Sequence, residues 1–451
     1  MQKGGDETAM RIRDAVVGDI WFSELEEHII KTPTFQRLHR IKQLGNTFHV
    51  YPGAMHTRFE HSLGVYYQVE RILKKRDLYY GEIAKDSADD IQIIKLAALL
   101  HDIVHTPFRH TLDRDTQVIK EPKRKMEYTY RIEQISSEIK SLFSEDFPQE
   151  QKTRVLKILN SAKAANLAKP YHKQIIEDTL SGDLLDYTVR DCYYTGLHRE
   201  WDPRIYDHII IANYNKKPHI VASIIDEDGK IAQSAITEIR NLIDIRYTLN
   251  ERVYFYAAKI AADSLLIKAV RNLFTTRNVS QDQFMERTRD MSDEEFINYL
   301  VENLRNDQLN YAQLLKDRRL PALAVELKPG DIDDDEKENI AKNCSGYHCY
   351  NKWLNAETKI AKEAHIAPEN VIIYCHHLEM QAKKKPGFLI LYDKNKEPCP
   401  IGGYPEVKTE IEQIAEKQEK LWRCYVFSID RSKSTCDRIK EVAKDVLISL
   451  T

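Results

Sequence analysis

Helix breakers are scarce in this chain: its 451 residues include only 15 Gly and 15 Pro. Long stretches are therefore free to continue as helix. Cysteine is sparse as well. The seven (Cys192, Cys344, Cys349, Cys375, Cys399, Cys424 and Cys436) are scattered and form no CxxC pair, which excludes a disulfide framework and fits a reducing, cytoplasmic setting. No apolar run approaches the ~18 residues that span a bilayer, and the opening MQKGGDETAMRIRDA lacks the apolar stretch of a secretory signal. A dominant charge is also missing. Lys and Arg number 67 against 70 Asp and Glu, leaving −3, so a histone-like positive coat is excluded while a local basic groove is not.

What is present describes a globular protein. Hydrophobic residues at 42% and charged residues at 30% supply a sizeable core, and the length corresponds to roughly three domains' worth of chain. From about Met10 to Lys316 the apolar residues recur mostly with a helical period. HSLGVYYQVERILKK (61–75), DDIQIIKLAALLHDIVH (89–105) and NERVYFYAAKIAADSLLIKAVRNLF (250–274) are the clearest cases. IQIIKLAALL is apolar on nearly every face, as expected of a helix in the middle of a bundle. The character changes near residue 320. Pro321, Pro329 and Gly330 precede the acidic run DIDDDEKE (331–338), a solvated linker or helix start. Strand-like runs follow at VIIYCHH (371–377), FLILYD (388–393) and LWRCYVFS (421–428), then an amphipathic helix over about 434–450. The expectation is a mainly α protein: a helical bundle over residues 10–319 and a smaller C-terminal α+β lobe over 320–451.

One cluster carries chemistry. His101 and Asp102 end the buried helix, and His105, His110 and Asp113 follow. Neighbouring helical residues point about 100° apart, yet both can reach an ion at the helix flank. Imidazole plus carboxylate suits a first-row divalent metal with positions left for water and a phosphate oxygen. An isolated His-Asp pair can equally cap a helix end and satisfy itself.

The surrounding blocks decide between these readings. FQRLxxIKQLG (35–45), RFEHSLGV (58–65), HDxxHxPFxH (101–110) and SGDLLDYTVRDC (181–192) occur in one order. This set resembles the HD-domain phosphohydrolase superfamily, most closely its deoxynucleoside triphosphohydrolases, over a little more than half of the chain. The resemblance implies an HD-domain helical bundle with His61, His101, Asp102 and Asp183 as ligands of a divalent metal ion, with Fe, Mn, Mg, Zn and Ni all compatible. Asp178, Asp186 and Asp191 are alternatives for the fourth ligand; Asp183 is preferred for its place in the DxxDYxxRD pattern. Arg58 either grips phosphate with its fork of donors or forms an ordinary ion pair, for example with Glu60. His105 and His110 lie where the family holds its proton-transfer residues, and histidine suits that task near neutral pH. His110 is the expected general acid, with Asp113 placed to orient it; the alternative is that both histidines only hydrogen-bond the metal ligands. By the same resemblance Gln43 and Leu44 pack against the sugar, Arg246 binds phosphate, and Tyr187 and Tyr254 stack near the sugar. A homo-oligomer, dimer or tetramer, is implied too.

Three positions depart from the family pattern. A triphosphate-binding Lys is usual after the last ligand, and Leu184 stands there. A later His-Glu motif appears as Ile132-Glu133-Gln134. Guanine-reading positions of nucleotide-activated members hold Lys31 and His39, which argues against regulation of that kind. The expected reaction is hydrolysis of a deoxynucleoside triphosphate to deoxynucleoside and triphosphate. One alternative is a nuclease or phosphodiesterase acting on single-stranded nucleic acid or a cyclic nucleotide; another is a degenerate HD domain that senses nucleotide without turnover. The basic segments EPKRK (121–125) and QAKKKPG (381–387) could touch polyphosphate or nucleic acid, or simply be solvated loops.

Overall fold

The computed structural model describes residues 10–119, 124–144, 146–378 and 387–450. The basic stretches at 121–123 and 381–386 lie outside the described residues. The chain opens with an antiparallel hairpin, β1 (Met10–Asp14) and β2 (Gly18–Phe22). Asp14 closes its turn by accepting hydrogen bonds from the Val16 and Val17 amides at 2.8 and 2.9 Å. Helices then dominate up to residue 316, as the periodicity predicts. Among the described residues none is long and apolar enough to cross a membrane.

Three helices position the site. Arg58–Leu73 starts at Thr57, where Thr57 and Glu60 cap one another reciprocally. Ala88–Leu100 is the expected central helix, with Leu96 to Leu100 fully buried. It ends sooner than the apolar pattern implies: His101 is its C-cap, and the chain turns before Pro107, which lacks an N–H and disfavours helix in the residue before it. Arg37 pins that turn from outside, donating to the carbonyls of Ile103 and His105, both at 2.9 Å. The third helix, Gly182–Thr195, is capped by Ser181 and stopped by Gly196 in the left-handed conformation (φ +73). It crosses Arg58–Leu73 at very short range. A Cβ on Gly64 would sit 1.8 Å from Asp186 Oδ1, and one on Gly182 would sit 2.7 Å from Val69 Cγ2.

The expected helix over 250–274 is interrupted. Gln233–Leu249 runs into a π-type turn over Asn250–Tyr254, Tyr256 is extended, and a new helix spans Ala257–Arg277. The aromatic and β-branched run VYFY is a modest helix former, and the break lets the Tyr254 hydroxyl reach Asp191. A second hairpin, β3 (Ile209–Tyr214) and β4 (Lys217–Ser223), stands inside the helical part. Its turn residues Asn215 and Lys216 both have positive φ, the two-residue geometry that matches strand twist.

Beyond residue 320 come β5 (Ala322–Leu327), β6 (Val371–Cys375), β7 (Leu389–Leu391), β8 (Cys399–Pro400) and β9 (Cys424–Ser428). β5, β9 and β6 form an antiparallel sheet in that order, whereas β7 pairs in parallel with β4 and is joined by β8. The acidic run is a helix start: Asp333 caps Asp334–Cys344 and Glu336 returns the bond. Buried side chains fall into two large cores. One holds residues from Ile20 to Val253 together with Ile390, Ile401 and Ile414; the other holds Phe108 to Ile119 and residues from Ile260 to Leu447. The cores thus divide near residue 255, well before the composition change at 320, and the 388–414 segment returns to the first core.

Candidate metal centre

Arg58 and His61 lie one turn apart at the start of Arg58–Leu73, so their side chains share a face. His101 and Asp102 come from the end of the central helix, and Asp183 from the first turn of Gly182–Thr195. His61 Nε2 is 3.1 Å from Asp183 Oδ1 and 3.8 Å from Asp102 Oδ2. His101 Nδ1 donates to the Ala98 carbonyl at 2.8 Å, which leaves the lone pair on Nε2. That Nε2 is buried with no hydrogen-bond partner. Nitrogen and oxygen donors of His61, His101 and Asp183 lie within 4.8 Å of one another, and Asp102 Oδ1 is 3.5 Å from His101 Nε2. An orphaned buried nitrogen facing two carboxylates and a second imidazole fits a divalent cation of the borderline type.

The other three aspartates are engaged elsewhere. Asp186 takes the far nitrogen of His61, Nδ1, at 2.9 Å. Asp191 takes His56 Nε2 at 2.8 Å and the Tyr254 hydroxyl. Asp178 accepts from the Thr179 amide at 2.7 Å. Spacing alone leaves these carboxylates open because they share one short segment; the fold separates them.

Burial and neighbouring charges act in opposite directions across the cluster. Burial works to lower the His61 imidazole, but hydrogen bonds to Asp183 and Asp186, with the charges of Asp186 and Asp102, raise it to about 10. Burial works to raise Asp102, yet the neighbouring His105, His101 and Arg58 hold it well below the usual carboxylate range. His105 is pushed well below ordinary histidine by burial and by the Arg58 charge, and so carries a neutral ring.

Arg58 faces the cluster rather than Glu60. Its Nη1 donates to Asp102 Oδ2 at 2.6 Å, and its buried Nε has no partner. Glu60 is occupied by the Thr57 amide and the Tyr194 hydroxyl. His105 Nε2 lies 3.0 Å from Asp102 Oδ1, and its ring is 5.0 Å from that of His110. Between them Phe108 is held in the left-handed region (φ +52), a conformation rare for a bulky residue and typical of functional turns. His110 then opens a π-type turn over His110–Asp115. Asp113 accepts from Arg109, whose Nε donates to Oδ2 at 2.8 Å, one helical turn away.

Of the expected substrate residues, Tyr187 shares a helix with Asp183. It is one turn further along, its hydroxyl pushed up to about 12 by burial, and the charge of Arg246 acts on it. Tyr254 joins through Asp191. The Gln43 amide donates to the His56 carbonyl at 3.0 Å, while Gln43 Oε1 is buried without a partner. Leu44 packs on the first core. Sequence reasoning missed His56 and Arg37. Arg37 sits within one of the blocks that carry the resemblance and His56 two residues before another, and the burial of both leaves no mark in the sequence. Of the departures, Leu184 is buried in the first core, Glu133 pairs with Lys152 at 2.9 Å, and His39 stacks on Phe59 at 3.6 Å.

Residues 58–185 match the HD domain, the segment that supplies all four candidate ligands. An uncharacterized protein of Methanocaldococcus jannaschii is 31% identical over 274 residues, covering 59% of this chain and 51% of that protein. The uncharacterized protein YwfO of Bacillus subtilis is 30% identical over 264 residues, 57% of this chain and 52% of its own length. The deoxynucleoside triphosphate triphosphohydrolase SAMHD1 of Bos taurus is 28% identical over 291 residues, 58% of this chain and 47% of its own. The chain spans about half the length of these curated relatives.

Proposed function

We propose that this chain, which carries an HD domain, is a metal-dependent phosphohydrolase that converts deoxynucleoside triphosphates to deoxynucleoside and triphosphate. The observation that carries the reading is the convergence of His61, His101 and Asp183, with Asp102 Oδ1 3.5 Å from a His101 Nε2 that is buried without a hydrogen-bond partner. The similarity to SAMHD1 supplies the substrate class. When bound there, a divalent cation supplies Lewis acidity toward a phosphoryl oxygen and an attacking water.

The chain's own residues do the rest. Arg58 fixes the Asp102 carboxylate and offers its remaining guanidinium donors to a phosphate oxygen. His105, neutral and bonded to Asp102, holds that carboxylate from the other side. His110, beyond His105, protonates the departing 5′-oxygen, the role that needs a proton near neutral pH. Tyr187 and Tyr254 flank the sugar, Gln43 and Leu44 close its other side, and Arg246 meets phosphate. The cofactor is one divalent ion, Fe, Mn, Mg, Zn or Ni, and the working form is a homo-oligomer.

A second reading, cleavage of phosphodiesters in single-stranded nucleic acid, is favoured by one observation. Leu184 is buried in the core, so no cation follows Asp183 to receive a triphosphate. Metal analysis tests the shared premise. Purified protein should retain a stoichiometric divalent ion, and Asp102→Ala should lose both the ion and all hydrolysis. A variant that keeps both would overturn the ligand assignment.

A further inference from the structure

Behind His61 runs a buried chain of charges that the proposed chemistry does not use. His61 Nδ1 lies 2.9 Å from Asp186 Oδ2. Asp186 in turn accepts from Arg190 Nε at 2.8 Å and Nη2 at 2.9 Å. Arg190 also donates to Asp14, through Nη1 at 2.8 Å and Nη2 at 3.2 Å. Asp14 ends in backbone, closing the β1–β2 turn through the Val16 and Val17 amides. The side chains of His61, Asp186, Arg190 and Asp14 are at most 3% exposed. The helix crossing is shaped around this chain, since Gly64 is the residue whose missing Cβ leaves room for Asp186 Oδ1 and for Arg190 Nη2, which a Cβ would approach to 2.5 Å.

We infer that Asp186, Arg190 and Asp14 form a positioning relay that ties the metal-facing imidazole of His61 to the N-terminal hairpin. The inference rests on the reading of His61 as a metal ligand. A ligating imidazole presents a lone pair on one nitrogen only if the other keeps its hydrogen, and a carboxylate on that second nitrogen fixes both tautomer and ring plane. Asp186 does this for His61. A buried carboxylate left to itself is costly, and Arg190 neutralises it while its rigid fork sets the angle of approach. Without Asp14, Arg190 Nη1 would be buried with no acceptor. The hairpin is thus part of the metal centre although no residue of it faces the ion. Its turn, through Val16 and Val17, also lines a cavity of about 1150 Å³ shared with Val189 of the Gly182–Thr195 helix.

The test is cation binding by the full chain, stripped with chelator and titrated with Mn²⁺ or Co²⁺. Asp186→Asn and Asp14→Asn keep the shape of each side chain and remove its charge. Asp186→Asn should weaken Mn²⁺ binding by about 10- to 100-fold, and Asp14→Asn by about 10-fold, the range for outer partners of metal ligands. Both should alter the visible absorption of saturating Co²⁺, because the His61 ring turns. Glu357→Gln is the control. It breaks an equally buried ion pair in the second core, with Arg271 at 2.5 Å and Lys268, and should lower Tm while leaving Mn²⁺ affinity and the Co²⁺ spectrum as in the wild type. Wild-type affinity and spectrum in folded Asp14→Asn and Asp186→Asn would overturn the relay. Absence of stoichiometric binding by the wild type would instead overturn the metal reading beneath it.

Discussion

At the scale of single residues, the cluster assigns different work to chemically similar groups. His105 is buried beside Arg58 and holds a neutral ring, so its part is to steady Asp102. His110 lies outside that pair, and the proposed reaction gives it the acid role. His110→Gln should lower kcat by about 10²- to 10⁴-fold, the usual contribution of a positioned acid. The loss should shrink for a substrate whose leaving group is already acidic, such as a nitrophenyl ester; an equal loss on both substrates would remove the acid assignment. Away from the site, His49 offers a cleaner titration. Burial and the Arg318 charge lower it from 6.5 to about 4. A histidine kept neutral in the folded chain but protonated when unfolded contributes stability above pH 6.5, and that contribution is lost as pH falls through 6.5 toward 4. Melting His49→Gln beside the wild type should show the wild-type advantage narrowing from pH 7.5 to pH 5. A constant gap would contradict the assignment.

At the scale of elements, what decides the site is how closely two helices cross. Gly64→Ala drives a Cβ into Asp186 and Arg190, so the helices must separate. Overpacking of this kind costs about 1–3 kcal/mol, and a drop in Tm should accompany weaker cation binding. Retention of both would mean that the crossing is looser than these distances require. The same elements show what the chain's letters can and cannot convey. The central helix and its His101-Asp102 terminus are legible because the buried run and the His-Asp pair are local. The choice between Asp183 and Asp186 comes from the resemblance and not from spacing, since both lie on one helix and its rotation against Gly64 sets which carboxylate meets His61 Nε2. β3 and β4 escape a periodicity reading because their turn, Asn215-Lys216, lacks the glycine that advertises a tight hairpin. The partner of the Tyr254 hydroxyl is not legible either, because Asp191 stands 63 residues earlier.

At the scale of the whole molecule, the near-neutral balance of 67 basic and 70 acidic residues conceals a local arrangement in which Asp102 and Asp183 face two imidazoles and Arg58 holds Asp102. The C-terminal strands are legible as strands, whereas the return of β7 to β4 is not, because parallel pairing across more than 160 residues leaves no local trace. A cation that binds only the folded chain also stabilises it, by about 2.7 kcal/mol at a hundredfold excess over Kd. Mn²⁺ should therefore raise the Tm of chelator-stripped protein, and Asp183→Ala should abolish the rise. The most direct measurement is product identification: the stripped protein incubated with each dNTP and with single-stranded DNA, with and without Mn²⁺, Fe²⁺, Mg²⁺, Zn²⁺ or Ni²⁺. The account predicts cation-dependent release of tripolyphosphate and deoxynucleoside from dNTPs, lost in Asp183→Ala; no tripolyphosphate with any of the metals would contradict it.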